Sequence, residues 1–319
     1  MKSSECFSRY VSTAYDRSVD WDLAQLRAYA ATIDHGSMDA AAAALHVTPS
    51  AVSQRLKALE RTVGAVLLQR TRPVRPTAPG VEVLRLARQM DELARDAART
   101  LEAVDDRPTV RLAVNADSLS TWVLPALVPL AGEICLELLR EGEDHTADLL
   151  RDGTAMAAIT TEQVPVQGCT VQRLGEMRYR PMASPAFAAR WFPHGLTPES
   201  LARAPVVVFD LLDRMQHRLL ERHGVDVDPP MHLVPASTQY VEAVRLGYGW
   251  GMVPDLQRTT WTSSDAVVLS ETDADDIALY WQQWSLRTPS LDRVAAAIRA
   301  AAVRILRVDA GSAGAGASP

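Results

Sequence analysis

The sequence predicts an α+β multidomain chain: a winged helix-turn-helix at the N-terminus, one long helix behind it, and an α/β domain after that. Three observations predict it. Apolar residues between Asp22 and Gly64 recur at three- and four-residue steps, cut into three short segments at Gly36 and at His46-Val47. A narrow apolar stripe then runs from Gly80 to about Val104 without a breaker. From Thr109 the texture changes to short β-rich runs alternating with helical stretches.

Residues 1–19 are polar, lack the apolar core of a secretory leader and read as a flexible extension. Leu23, Leu26, Ala30 and Ile33 mark the first helix. Ser37 suits the N-cap of a second, alanine-rich helix over Met38 to Leu45, whose small side chains allow close approach of a neighbour. Thr48 caps a third helix, with Pro49 at the first helical position, where its missing N–H costs nothing. Val52, Leu56, Leu59 and Val63 give that helix one apolar face, and Gly64 ends it. Two helices joined by so short a turn form a helix-turn-helix. The stretch AVLLQRTRPVRPT then reads as a strand over Val66 to Gln69 and a basic wing carrying Arg70, Arg72 and Arg75. Residues 20–76 are thus expected to form one domain.

Thr77 caps the long helix, which with its C-terminal turn spans 77–107. Leu86, Met90, Leu93, Ala97 and Leu101 form its stripe, and charged residues fill the other faces. So narrow a stripe predicts a coiled-coil-like dimer contact, the alternative being a helix packed on its own domain. Asp105-Asp106-Arg107-Pro108 is the expected hinge. Candidate strands follow at 109–115, 134–141, 155–161, 170–184, 205–210, 231–236, 250–255, 266–270 and 277–284, with a last helix over about 290–306. Parallel sheets are expected, with ligands at the carboxyl ends of the strands. Residues 309–319, small and flexible, read as a disordered tail.

Composition narrows the function. The 319 residues are 47% hydrophobic and 23% charged, an ordinary globular balance. A net charge of −6 excludes a generic polyanion binder, yet Thr48 to Pro76 holds six basic residues against Glu60 alone, a local +5. Such asymmetry is the footprint of a DNA-binding module joined to something else. Cys6, Cys135 and Cys169 are too few and scattered for a disulfide framework; a cytoplasmic protein with ordinary buried thiols is expected. No apolar run approaches the roughly 18 residues of a membrane helix. No Gly-Lys-Ser/Thr phosphate loop, H-E-x-x-H or G-x-S-x-G is present, so neither enzyme activity, cofactor nor metal is expected. His145 beside Asp144 reads as a loop residue. Gly247, Gly249 and Gly251 precede a strand instead of following one, which excludes a dinucleotide loop and points to close backbone approach.

Reading double-stranded DNA needs donors and acceptors at one end of a helix lying in the major groove. Thr48, Pro49, Ser50, Ser53, Gln54, Arg55 and Lys57 occupy the cap and first turns of the third helix, and Ser37 caps its partner. Arg70, Arg72 and Arg75 are placed on phosphates or the minor groove.

The residues from Leu23 to Thr77, above all SAVSQRLKALE with Gly64 and the wing arginines, resemble the LysR-type transcriptional regulators. The likeness extends over about Trp21 to Leu306. It implies a dimerising linker helix and a C-terminal two-lobed α/β effector domain of periplasmic-binding-protein type over 108–308. Lobe I would take about 108–182 and 281–308, and lobe II about 183–280. It also implies a homodimer or dimer of dimers on a promoter operator, acting on RNA polymerase. AVNADSLSTW (113–122), EGEDHTADLLRDG (141–153), AAITTEQVPVQGC (157–169), LGEMRY (174–179), GYGWGMVP (247–254) and LYWQQW (279–284) resemble its lysine/arginine-responsive LysG/ArgP branch. That likeness implies control of an exporter or of lysine/arginine metabolism, with lysine or arginine as effector. Ser237-Thr238-Gln239 departs from the branch, where an acidic residue often follows that serine.

An amino-acid effector offers a carboxylate and one or two cations. The carboxylate suits a helix N-terminus with hydroxyls, here Ser118, Ser120 and Thr121 beside Asp117. The cations suit Glu141, Glu143 and Asp144 after the second strand and Thr160, Thr161 and Glu162 after the third; Ser237 joins them from the second lobe. Two other readings stay open: an architectural DNA binder without an effector, and a solute-binding protein or enzyme whose N-terminal domain is incidental.

Overall fold

A computed structural model describes residues 20–69, 71–101, 107–140, 143–258 and 261–307, and the side chains of all but residues 143–145 among them. The expected extension over 1–19, Arg70, the hinge acids Asp105-Asp106, Glu141 and the tail over 309–319 lie outside the described residues, as does Cys6. The chain divides into two compact units, one carrying the residues up to Asp106, the other nearly everything from Arg107 onward.

In the first unit α1 (Leu23–Asp34), α2 (Met38–Ala44) and α3 (Pro49–Val63) each begin at a side-chain cap. Asp22 accepts from the Ala24 and Gln25 N–H groups at 2.7 and 3.0 Å, Ser37 from Ala40 at 3.2 Å and Thr48 from Ala51 at 3.2 Å. Gly64 ends α3 in the left-handed conformation at φ 75°. Strands β1 (Leu68–Gln69) and β2 (Arg75–Pro76) pair antiparallel to make the wing, shorter than the strand expected from Val66. Helix α4 (Ala78–Thr100) follows. Leu26, Tyr29, Val52, Leu56, Leu59, Leu67, Val83 and Leu84 are buried together. The Tyr29 hydroxyl donates to the Gly80 carbonyl at 2.9 Å, and its burial pushes the phenol far above its usual range. Gly80 is required here, since a Cβ would stand 2.3 Å from the Leu67 carbonyl oxygen.

The stripe of α4 is not one seam. Val83, Leu84 and Ala87 join the core of the first unit, because α1 packs along the early turns of the helix. Leu86 is half-buried, and Met90 packs partly against that core, so Met90 is spent on its own domain instead of being free for a partner. Beyond it Leu93 (44% exposed), Ala97 and Leu101 (78% exposed) stand open.

The second unit holds β3 (Thr109–Val114), β4 (Cys135–Arg140), β5 (Ala157–Thr160), β6 (Cys169–Ala183), β7 (Val206–Val208), β8 (Met231–Leu233), β9 (Gly251–Pro254), β10 (Val267–Val268) and β11 (Asp275–Trp284). Its main sheet runs β10-β6-β11-β5-β3-β4, with β9 also on β6. Only part of it meets the expectation of parallel pairing. β4, β3 and β5 are parallel, whereas β6 and β11 pair antiparallel with each other and β11 antiparallel with β5. β6 and β11 run as two long paired strands from Trp284↔Cys169 to Asp275↔Tyr179. β7 and β8 form a separate parallel pair.

The helical run after β3 is α5: Ala116–Ser118, a π-helical turn at Leu119–Val123, then Leu124–Leu127. Then come α6 (Glu143–Arg151), α7 (Pro185–Trp191), α8 (Pro198–Arg203), α9 (Met215–Arg222), α10 (Ser237–Leu246), a 3₁₀ turn at Asp255–Arg258 and α11 (Pro289–Ile305). Val110, Leu112, Trp122, Ile159, Trp281, Trp284 and Ile298 form the main core, which continues to Phe187, Leu201 and Leu219. Met182, Val207, Tyr240, Val244 and Val253 form a second cluster under α10. Cys135 is exposed, against expectation, because it opens edge strand β4, and Cys169 is half-buried. Gly249 and Gly251 let backbone approach closely: a Cβ would lie 2.7 Å from the Pro205 carbonyl oxygen and 2.4 Å from the Tyr240 hydroxyl, respectively.

Candidate functional site

One candidate surface lies on α3. Ser50, Gln54, Lys57 and Arg61 follow each other at steps of four, three and four residues and so share one exposed line. Val52, Leu56 and Leu59 bury the opposite face. Thr48 and Pro49 are exposed at the N-terminal tip. Ser53 and Arg55 are half-buried on the flanks; at 100° per residue Arg55 sits about 140° round the helix from Ser50. Arg55 therefore lies off the exposed line on which Ser50, Gln54 and Lys57 stand, and Arg61 continues that line. Ser37 is half-buried and caps α2. Arg72 and Arg75 stand exposed on the wing.

Charge pairing sets these cations apart. Arg27 and Arg99 bind Asp91 and Glu92 at 2.7 and 2.8 Å, and Arg88 and Arg95 contact Asp34 and Asp91. Arg55, Lys57, Arg61, Arg72 and Arg75 make no ion pair among the described residues. Unneutralised positive charge on a recognition helix and wing is what a polyphosphate attracts.

The second candidate is a cavity of 390 Å³ in the second unit. Asn115 and Asp117 reach it from the end of β3, Thr161 from the end of β5 and Tyr179 from β6; Asp210 and Asp213 reach it from the β7–α9 loop. Asp117 Oδ2 accepts from the Tyr179 hydroxyl at 2.7 Å, and Oδ1 accepts from the Ser237 hydroxyl at 2.5 Å. Gln257 donates to Ser120 Oγ at 2.8 Å and lies against Ser237 and Asp117. Desolvation by burial raises the Asp117 carboxyl above its usual range; the bonds from Ser237 and Tyr179 oppose this, and the negative charge of Asp213 adds to it. Burial likewise raises Asp213, against hydrogen bonds from its own loop. Tyr240, fully enclosed, is raised by burial and then by the charge of Asp213.

Several of the expected residues do not line this cavity. Ser118 is fully buried and its hydroxyl has no partner among the described residues, so it does not face the cavity. The Thr121 and Ser120 hydroxyls bond back to the Asp117 carbonyl at 2.6 and 3.1 Å, the usual fate of hydroxyls inside a helix. Thr160 is buried and its hydroxyl oxygen accepts from the Glu162 N–H at 3.1 Å, which turns the chain. The Glu162 carbonyl takes the Gln282 amide at 2.9 Å, and Glu162 does not line the cavity. Glu143 and Asp144 lie in α6, with side chains outside the description. Asp117 and Thr161 are brought together at the cavity, and Ser237 and Ser120 join Asp117 through their hydroxyls, with Ser120 Oγ 3.0 Å from Ser237 Oγ. Asp210, Asp213 and Tyr240 were missed, although Asp210 and Asp213 directly follow a predicted strand and the rule applied to β3 and β5 would have found them.

Carboxylates from separate strands in one enclosed space suit a cationic guest. Among the described residues no group of His, Cys, Asp and Glu is arranged to hold a metal. No helix among them is long and apolar enough to cross a membrane.

Residues 23–81 match the family model described as the bacterial regulatory helix-turn-helix protein, lysR family, and residues 104–303 match the LysR substrate binding domain. The HTH-type transcriptional regulator LysG of Mycobacterium tuberculosis is 42% identical over 89% of this chain and 94% of its own length. The crystal structure of ArgP from Mycobacterium tuberculosis superposes with a TM-score of 0.84 at 41% identity, covering 91% of this chain and 100% of that one. LysG of Corynebacterium glutamicum, a lysine export transcriptional regulatory protein, is 38% identical over 89% of this chain and 98% of its own length. A full-length LysG from that organism with bound effector Arg gives a TM-score of 0.76 at 36% identity, covering 90% and 100%.

Proposed function

This chain belongs to the LysR family of bacterial helix-turn-helix regulators, and from that premise we propose that it is a one-component transcriptional regulator whose effector is lysine or arginine. The single observation that carries the effector is the 390 Å³ cavity walled by Asp117 and Asp213. It lies in the unit that resembles a protein holding arginine. The unpaired cations of α3 and the wing support operator binding. Similarity to a lysine export regulator supports control of an amino-acid exporter or of lysine/arginine metabolism genes.

A basic amino acid entering the cavity biases two lobe arrangements, and the paired winged helices then sit differently on DNA and recruit RNA polymerase differently. Only differential affinity for the two states is needed; a tenfold bias corresponds to about 1.4 kcal/mol. Leu93, Ala97 and Leu101 fit a partner helix in a homodimer, which would pair again as a dimer of dimers. Leu86 and Met90 contribute to that seam only at its edge. The regulator acts in the cytoplasm, without enzymatic activity and without a cofactor other than the amino acid.

The test is operator binding and thermal unfolding of the full chain with lysine, arginine, histidine and a non-basic amino acid. Lysine or arginine raises the melting temperature and shifts operator affinity, and the non-basic control does neither. Equal, null responses to all four would remove the effector while leaving the DNA-binding reading in place. Operator affinity indifferent to every amino acid and to DNA sequence would favour an architectural binder.

A further inference from the structure

Asn115 holds the position that starts α5, where an asparagine ordinarily caps the helix, yet its side chain makes no cap hydrogen bond. The residue lines the cavity and is 8% exposed, and its Oδ1 has no partner among the described residues. A buried acceptor left open costs about 1–3 kcal/mol unless something donates to it, so this oxygen asks for a donor from the cavity. Each of the acids is partly spent on internal donors. Asp117 has both oxygens on hydroxyls, at 2.5 and 2.7 Å. Asp210 Oδ1 holds the Leu212 and Asp213 N–H groups at 2.8 and 2.9 Å, which folds the loop. Asp213 commits Oδ1 to the Met215 N–H at 3.0 Å, and its carboxyl also takes bonds from the Phe209 N–H and the Gln216 side chain.

We propose that Asp213, with the open carboxamide oxygen of Asn115, is the specificity-determining pair that accepts the side-chain cation of the effector. The inference rests on the basic-amino-acid reading and assigns its selectivity to the β7–α9 loop. The other charged or titratable groups lining this cavity are Asp117 on α5, Asp210 in the loop, Tyr179 on β6, Tyr240 on α10, and Arg214 and Arg218 at the start of α9. Arg214 is engaged by Glu221 at 3.2 Å and Arg218 by Asp275 at 3.4 Å.

The experiment is calorimetric titration of the full chain with lysine, arginine and norleucine, in wild type, Asp213→Asn and Asn115→Leu, across a pH series. Asparagine at 213 keeps an oxygen for the Met215 N–H and removes the charge. Asp213→Asn is expected to lower lysine and arginine affinity at least about tenfold, roughly 1.4 kcal/mol. Wild-type lysine affinity rises with pH as the carboxyl ionises, and the substitution reduces that slope, which a merely structural residue would not do. Asn115→Leu, which leaves no cap unmade, is expected to cost about three- to tenfold; it carries the test if Asp213→Asn does not fold. Wild type that binds lysine while both variants bind within about twofold of it, with the pH slope unchanged, overturns the proposal. Wild type that binds no basic amino acid overturns the effector reading, and this inference with it.

Discussion

The recognition helix and the effector cavity are built in opposite ways. All the polar residues of the α3 face come from Thr48 to Arg61, one segment whose cap, proline, apolar spacing and terminal glycine specify a helix locally. The cavity draws on β3, β5, β6, the β7–α9 loop and α10, from Asn115 to Ile277. Its cations and acids also behave differently. The α3 and wing charges are exposed and unpaired, ready for an external polyanion. The cavity acids are desolvated and held by internal hydroxyls and amides, so a guest must compete with groups already in place. The first site is a surface presented by a rigid support; the second is an enclosure whose affinity depends on what the empty state has already satisfied.

The largest effect expected to test this independence is Leu59→Ala. Leu59 is 1% exposed in the first unit's core, and truncation there costs about 2–5 kcal/mol. Denaturant unfolding should show that loss, with weakened binding to every DNA and unchanged lysine affinity; a parallel loss of lysine affinity would show that the two regions are not independent. Thr48→Ala removes the cap of α3 and is expected to cost about 1 kcal/mol by the same measurement. A larger relative loss of operator affinity than of stability would show that Thr48 also touches DNA.

Lys57→Ala should flatten the dependence of log affinity on log salt by about 0.9, one phosphate's share, whereas Arg55→Ala on the flank should change it less. The reverse order would restore Arg55 to the reading face. Smallest is a pH effect on the ligand-free chain. The Asp213 carboxyl is raised on folding, so its contribution to stability is complete in acid and declines as pH rises through the raised value. Asp213→Asn is therefore expected to raise the melting temperature at neutral pH and to leave it unchanged in acid. A melting temperature lowered at neutral pH would mean that the ionised carboxylate is stabilised by partners, and the charge would then be structural.

Most of the first unit was legible in the sequence because its signals are local. Ser37, Thr48 and Thr77 cap the helices they were expected to cap, since a hydroxyl reaches N–H groups only two or three residues away. The dimer stripe was less legible: spacing places Leu86 to Leu101 on one face, but it does not say that α1 covers the first turns of it. Within the second unit the strands were found nearly in place, yet the expected all-parallel sheet is mixed, because pairing partners are chosen by long-range packing and not by strand composition.

The sequence by itself determined the helix-turn-helix, its caps and wing, the local positive charge and the family, all of which depend on residues close together along the chain. Only the tertiary structure decided which carboxylates share a cavity. Hydroxyls at Ser118, Ser120 and Thr121 have the right composition for a ligand, but Ser118 is buried, Thr121 bonds back along α5, and Ser120 is drawn into the Ser237–Gln257 cluster. Asp213 lies nearly a hundred residues from Asp117 along the chain and comes close enough for its charge to act on the Asp117 carboxyl. Desolvation and juxtaposition are properties of the folded interior, and no local pattern encodes them.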